Sequence, residues 1–264
     1  MFKFHTAGES HGPGLTVIIT GVPAGLSLSR ELINRELARR QQGAGRGGRM
    51  KIEKDKVEIM SGVRFGKTIG SPISMLIPNR DWENWSGIMS QEKKPSDLKE
   101  ITQPRPGHAD FAGVLKTGQT DIRNVLERAS ARETACRVAA GTVAKKLLDE
   151  MDITILSHVI RIGSVSVSYA SPPQINDITK IEESDVRCLD TKATEQMKAE
   201  IDQAKREGDS LGGVFEVLAY GVPPGIGDYT SWDCRLDGRL AKALMSIPAI
   251  KAVEIGSGFW ACQK

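Results

Sequence analysis

The chain has 264 residues and 28.7 kDa, enough to bury a sizeable core, and its 39% hydrophobic and 26% charged residues are the balance of an ordinary globular protein. A net charge of +3 is too small for a nucleic-acid coat protein. No apolar run approaches the ~20 residues that span a bilayer, and the start MFKFHTAGES has no signal-peptide core, so a cytoplasmic location is expected.

In chain order, LTVIIT at 15–20 is a β-branched run ended by the turn GVPAG and predicts a strand. Ser29 is placed to cap a helix running to about Gln42, with Ile33 and Leu37 on one face. KIE and VEIMSG flank the charged turn KDK as in a hairpin, and another strand is expected at 72–77. The polar stretch 79–104 reads as a long loop that its two tryptophans could order. A strong helix is expected from Ser130, where S-A-R-E offers a capping box with Glu133 and the stripe Ala135, Val138, Ala139, Thr142, Val143, Leu147 follows helical spacing. ITILSHVI and GSVSVSY alternate like strands, and a polar helix is expected over Thr191 to Glu207. VFEVLAY then predicts a strand, and Leu236, Leu240, Ala243, Leu244 and Ile247 mark a last helix.

The chain repeats itself. GESHGPGLTVIITGVPAGL at 8–26 aligns without gaps on GDSLGGVFEVLAYGVPPGI at 208–226, and VEIMSG at 57–62 returns as VEIGSG at 253–258. The expected architecture is therefore α+β, a β-α-β sandwich with an internal pseudo-twofold repeat. It is one domain over 1–264, with a first repeat of about 1–150 and a second that begins near 208 and is incomplete at the C-terminus.

Three segments carry candidate chemistry. The first repeat holds His11 where the second has Leu211, and an imidazole among glycines is not core filler. ARRQQGAGRGGR contains a literal G-x-G-x-x-G, but it follows a helix where a dinucleotide fingerprint follows a strand. Its Arg39, Arg40, Arg46 and Arg49 suit a phosphate or carboxylate, and a solvated or RNA-binding basic loop stays open beside that reading. In ERASARETACR, Arg128 and Arg132 flank Ser130 at an expected helix start, a second candidate anion site, although Ser130 as a plain cap explains it equally. QPRPGHADF places Arg105, His108 and Asp110 together in a rigid context. Two loop histidines among arginines make a candidate acid/base pair, while His5 and His158 read as structural. The four cysteines form no C-x-x-C pair and are expected to be free thiols, and no metal-ligand spacing occurs.

Taken together, GESHGPGLTVIITGVPAGL, RRQQGAGRGGR, RPGHADF and ERASARETACRVAAGTVA closely resemble the chorismate synthase family, over residue 1 to about Phe259. The resemblance implies a carbon–oxygen lyase that eliminates phosphate from 5-enolpyruvylshikimate 3-phosphate with reduced FMN, as a homotetramer. It implies that His11 protonates the departing phosphate and that His108 faces the flavin. It places Arg128, Ala129 and Ser130 at a flavin-contacting tripeptide whose middle residue is usually serine, and Pro248 and Ala249 at a pair often Asn-Ala. Lys251 and Ala252 stand where Lys-Gly is common. Arg40 and Arg46 match positions assigned to NADP in members that reduce their own flavin with NADPH. Ser10, Arg49, Arg105 and Arg132 would hold the substrate. The ending WACQK replaces the family's continuation, so weak FMN binding, poor turnover and uncovered apolar faces are expected of the chain taken alone. A basic RNA-binding module and a non-catalytic remnant that pairs with intact subunits are the alternatives.

Overall fold

The computed structural model describes residues 1–45, 55–168 and 172–263. They form two compact units, Met1–Tyr220 and Gly221–Lys264.

The first unit begins with β1 (Lys3–Ala7) and β2 (Gly14–Thr20), paired antiparallel with Lys3 opposite Thr20 and Ala7 opposite Thr16. Helix α1 (Arg30–Arg40) starts as expected at Ser29, whose hydroxyl accepts from the Leu32 amide. β3 (Glu58–Ser61), the short β4 (Val63–Arg64) and β5 (Lys67–Thr68), and β6 (Ile73–Pro78) follow. The main sheet has the order β1-β2-β6-β3. β3 pairs with β6 within the described residues, whereas KIE at 51–53 lies outside them, as do Arg46 and Arg49. Leu15, Val17 and Ile19 of β2 and Ile73, Met75 and Ile77 of β6 alternate onto one fully buried face. Each contributes roughly 1.5–3 kcal/mol by leaving water.

Two helices cover that face. α1 buries Ile33 and Leu37, and α5 (Thr134–Asp149) buries Ala135, Cys136, Ala139, Ala140 and Val143 in the same cluster. Three alanines let α5 lie close to its neighbours, and it contacts α1, β2 and β7 (Thr154–Ile162). β7 is central in a second sheet of order β8-β7-β9, with β8 (Val165–Ser166) shorter than the alternating sequence suggested and β9 running Gly213–Tyr220. Before β9 come α6 (Ile178–Glu183) and α7 (Thr191–Glu207), the latter with the predicted ends, capped by Asp190 and closed by Gly208. Met197 of α7 packs in a smaller core with Val186, Cys188 and Ala193. The fold is α+β, with helices layered on sheets.

The expected loop at 79–104 is interrupted by a single helical turn, α2 (Trp82–Trp85). Two further helices, α3 (Asp110–Thr117) and α4 (Arg123–Ala129), precede Ser130.

The second unit contains α8 (Leu236–Met245) and a final 3₁₀ turn. Its VEI at 253–255 is not a strand, in contrast to β3 of the first copy, so that part of the repeat lies in sequence and not in hydrogen bonding. The glycine turns do repeat. Gly21 and Gly221 have φ of 78° and 76°, and Gly25 and Gly225 both have 92°.

The four cysteines are unpaired with one another. Among the described residues no helix is long and apolar enough to cross a membrane, and no cluster of three His, Cys, Asp or Glu side chains is placed to hold a metal.

Candidate functional site

His11 sits in the connection between β1 and β2. The chain reverses tightly there because Gly8 adopts φ 103°, and a Cβ on it would lie 2.4 Å from the Gly14 carbonyl oxygen. Asn79, buried at the end of β6, secures the outgoing limb, its side-chain amide donating to Gly12 O at 2.9 Å and its backbone amide to Pro13 O at 2.9 Å. The incoming limb is clamped to the end of α4. Ser10 N donates to Glu127 O at 3.0 Å, and Arg132 Nη1 donates to Ser10 O at 3.0 Å.

With its backbone so held, His11 meets a buried carboxylate. Its Nδ1 lies 2.7 Å and 2.9 Å from the two oxygens of Glu127, and its backbone amide donates to Oε2 at 2.9 Å. Arg123, one turn earlier on α4, donates from Nη1 to Glu127 Oε1 at 3.0 Å. Trp85 closes one side of the imidazole, ring centroids 3.6 Å apart in a stacked pair, and Arg123 lies over the same indole. Trp85 is itself oriented by its Nε1–H donating to Asp81 Oδ2 at 2.8 Å.

Ser130 is a cap, as its plain reading expected, but of a 3₁₀ turn and not of α5 itself. It ends α4 in an extended conformation, its hydroxyl accepts from the Arg132 amide to start a 3₁₀ turn over Ala131–Glu133, and α5 begins only at Thr134. The capping box fails because Glu133 is spent elsewhere, accepting from Thr6 Oγ1 at 2.8 Å and from Arg137 at 2.9 Å. The Ser130 hydroxyl also donates to Ser10 Oγ at 3.2 Å. Arg128 reaches back to β1, donating to Thr6 O, Thr6 Oγ1 and Gly8 O, with the rest of its side chain exposed. Arg132 does not project as an open anion fork. Only 5% exposed, it donates from Nη2 to Asp55 Oδ1 at 3.0 Å, while Arg40 approaches the other Asp55 oxygen at 3.8 Å. Arg40 also donates to Thr134 Oγ1 and Ala131 O, so two arginines singled out as ligand-holders share one buried carboxylate.

His108 belongs to a second cluster, at the start of α3. Its Nδ1 bonds Asp110 Oδ1, and Arg105 lies 3.2 Å from each ring nitrogen. Arg105 grips the other Asp110 oxygen through its backbone amide at 3.0 Å and Nε at 3.1 Å. Burial alone would raise the Asp110 pKa, but hydrogen bonds from Arg105 and His108 outweigh it and bring the carboxyl down to about 2. Helix α3 packs on α4, the helix that carries Glu127, with Gly113 so close to Val125 that a Cβ would sit 2.2 Å from Val125 Cγ1.

Of the sequence-predicted residues, His11, Ser10, Ser130, Arg128, Arg132 and Arg40 are linked through one hydrogen-bonded assembly, with Ala129 beside them at the end of α4. His108 and Arg105 form the second cluster. Pro248 and Ala249 occupy a turn in the second unit, Ala249 with φ 70°. Buried His158 bonds Glu216 at 3.1 Å, in keeping with its structural reading. Sequence reasoning missed Glu127, Arg123, Trp85 and Asp55. The only signal for Glu127 was an acid inside an arginine-rich segment four residues after Arg123.

A family model for chorismate synthase matches residues 2–264, essentially the whole chain. The chain belongs to the chorismate synthase family. Chorismate synthase of Alkaliphilus metalliredigens is 57% identical over 264 residues, which are 100% of this chain and 69% of that relative. Its counterpart in Desulforudis audaxviator is 58% identical over 261 residues, 98% of this chain and 67% of that one. The chain thus spans about two thirds of the length of these relatives. A crystal structure of chorismate synthase superposes with a TM-score of 0.82 at 48% identity, covering all of this chain and 71% of the other. The family is one of lyases serving aromatic biosynthesis, and the matched region includes both histidine clusters.

Proposed function

We propose that the chain performs the reaction of its family, the 1,4-elimination of phosphate from 5-enolpyruvylshikimate 3-phosphate to give chorismate. In that reaction the carbon–oxygen bond to phosphate breaks, a ring proton leaves and a double bond forms. The observation that carries the proposal is the position of His11, held through its backbone amide and Nδ1 by Glu127 and stacked on Trp85, beside the hydrogen-bonded Ser10 and Ser130 hydroxyls.

His11 would give its proton to the departing phosphate oxygen, the role an imidazole performs well near neutrality. The ligand carries a phosphate and two carboxylates, and desolvating it requires several guanidinium partners. Arg105, half-exposed although it pairs with Asp110, would offer one, and Arg49 is assigned another by resemblance. Arg132 would act on Ser10, whose carbonyl it holds, and Arg40 would steady Asp55 and the 3₁₀ turn.

The chemistry supplied by bound reduced FMN would be transient electron donation to the substrate with no net redox change. The residue types would suit such an anionic ligand: Arg128, exposed although its guanidinium also donates to Thr6 and Gly8, the hydroxyl of Ser130, and the small side chain of Ala129 between them. Pro248 and Ala249 are assigned a flavin contact by resemblance alone. His108, tied to Asp110, would hold a proton toward the flavin, and Arg40 with Arg46 would receive NADPH if the chain reduces its own flavin. Assembly as a cytoplasmic homotetramer belongs to the same reading.

The test is an anaerobic titration of the chain with reduced FMN and then substrate, following the flavin spectrum and released phosphate together. A spectral change accompanied by equal amounts of phosphate and chorismate is expected. An unchanged spectrum without product would overturn the reading.

A further inference from the structure

Glu127 has the geometry of a group that acts through its neighbour. It is 1% exposed, yet two N–H groups are aimed at it, the His11 backbone amide and Arg123 Nη1, and His11 Nδ1 lies within 2.9 Å of both its oxygens. A carboxylate accepts hydrogen bonds and donates none, so the Nδ1 facing it must carry the hydrogen. Neutral imidazole has one N–H, and a partner that claims it at Nδ1 leaves Nε2 as the basic nitrogen. The stacked Trp85 ring prevents the imidazole from turning out of this bond. Among the neighbouring charged groups, Arg128 donates to Thr6 and Gly8, and Arg132 to Ser10 O and Asp55.

We propose that Glu127 is a positioning residue that holds the one hydrogen of neutral His11 at Nδ1, so that Nε2 is the nitrogen that takes up a proton to form the imidazolium and then gives that proton to substrate. The tautomer assignment rests on this chain's geometry alone, whereas its use in turnover rests on the function proposed above. Arg123 completes the device by balancing the buried charge of Glu127, and Trp85 by holding the ring plane. Replacing the carboxylate with an amide of the same shape removes one acceptor oxygen and presents an NH₂ to the cluster, which favours the opposite tautomer.

The experiment is long-range ¹H–¹⁵N correlation of the imidazoles in ¹⁵N-histidine-labelled full chain, with His11 assigned by the His11→Asn variant. In the parent protein above the titration of the ring, His11 should show the Nδ1–H pattern, and Glu127→Gln should shift it toward Nε2–H. An Nε2–H pattern for His11 in the parent chain overturns the proposal, and so does an unchanged tautomer in a folded Glu127→Gln. In turnover, Glu127→Gln should lower kcat by roughly 10–100-fold with KM changed much less, and Glu127→Asp should recover part of the loss. An inactive parent chain with the Nδ1–H pattern intact would refute the functional reading and leave the tautomer assignment standing.

Discussion

His11 stacks on Trp85 with ring centroids 3.6 Å apart and 29° between planes, joining the β1–β2 connection to the single turn of α2. A stacked pair of this kind contributes about 0.5–1.5 kcal/mol beyond the area it buries. Trp85→Leu should therefore lower stability by about 1 kcal/mol in urea unfolding, and Trp85→Phe by less. Equal stability for Trp85→Leu and the parent would show that the stack contributes nothing.

The buried pair of Arg132 and Asp55 leads to a larger effect. Removing one member leaves a carboxylate without its main counter-charge, which typically costs about 3–5 kcal/mol, so Arg132→Met should lower the unfolding midpoint steeply. The double variant Arg132→Met with Asp55→Leu should be less unstable than the single one, because the buried carboxylate is then gone and Arg40 keeps its bonds to Thr134 Oγ1 and Ala131 O. Additive losses would contradict this account of the pair.

Two equivalent glycines of the repeat should respond differently. At Gly8 a Cβ would collide with backbone 2.4 Å away, whereas at Gly208, with φ 70°, nothing lies within 4 Å. Gly208→Ala should cost about 1–2 kcal/mol for its left-handed backbone. Gly8→Ala carries the collision as well and should lose at least about 1 kcal/mol more, with displacement of His11. Equal losses in chemical denaturation would contradict the contrast.

The ease of reading these parts from sequence varied for physical reasons. β2, β6, α1 and α7 were legible because each buries one face and repeats at its own period, with Ser29 and Asp190 capping the helices. α3 and α4 were not, being short and set among polar residues. Ser130 caps as read, but the box with Glu133 does not close because that glutamate is drawn away by Thr6 and Arg137, contacts made by tertiary folding. His11 stood out by its glycine setting, but Glu127 and Trp85 reach it from distant segments, and no local pattern encodes such a meeting. Likewise Asp55 gives no hint in sequence that it will gather Arg40 and Arg132.

Asp110 gives a pH prediction whose sign follows from its pKa, lowered from 3.8 to about 2 in the folded chain. A carboxyl with a depressed folded pKa stabilises the fold above its unfolded value and loses that contribution as pH falls through the folded one. Its contribution should therefore be complete above about pH 5 and disappear between about pH 4 and pH 2. Asp110→Asn should be less stable than the parent at pH 7 and converge with it near pH 2. A constant difference across that range would contradict the assignment.

The central claim is that His11, fixed by Glu127, delivers the proton to a departing phosphate. The most direct measurement is anaerobic phosphate release from 5-enolpyruvylshikimate 3-phosphate with reduced FMN, comparing the parent chain with His11→Ala at equal flavin occupancy. The account predicts release by the parent and a fall of roughly 10²–10⁴-fold in the variant, the range for loss of a general acid. Equal rates in the two proteins would contradict it.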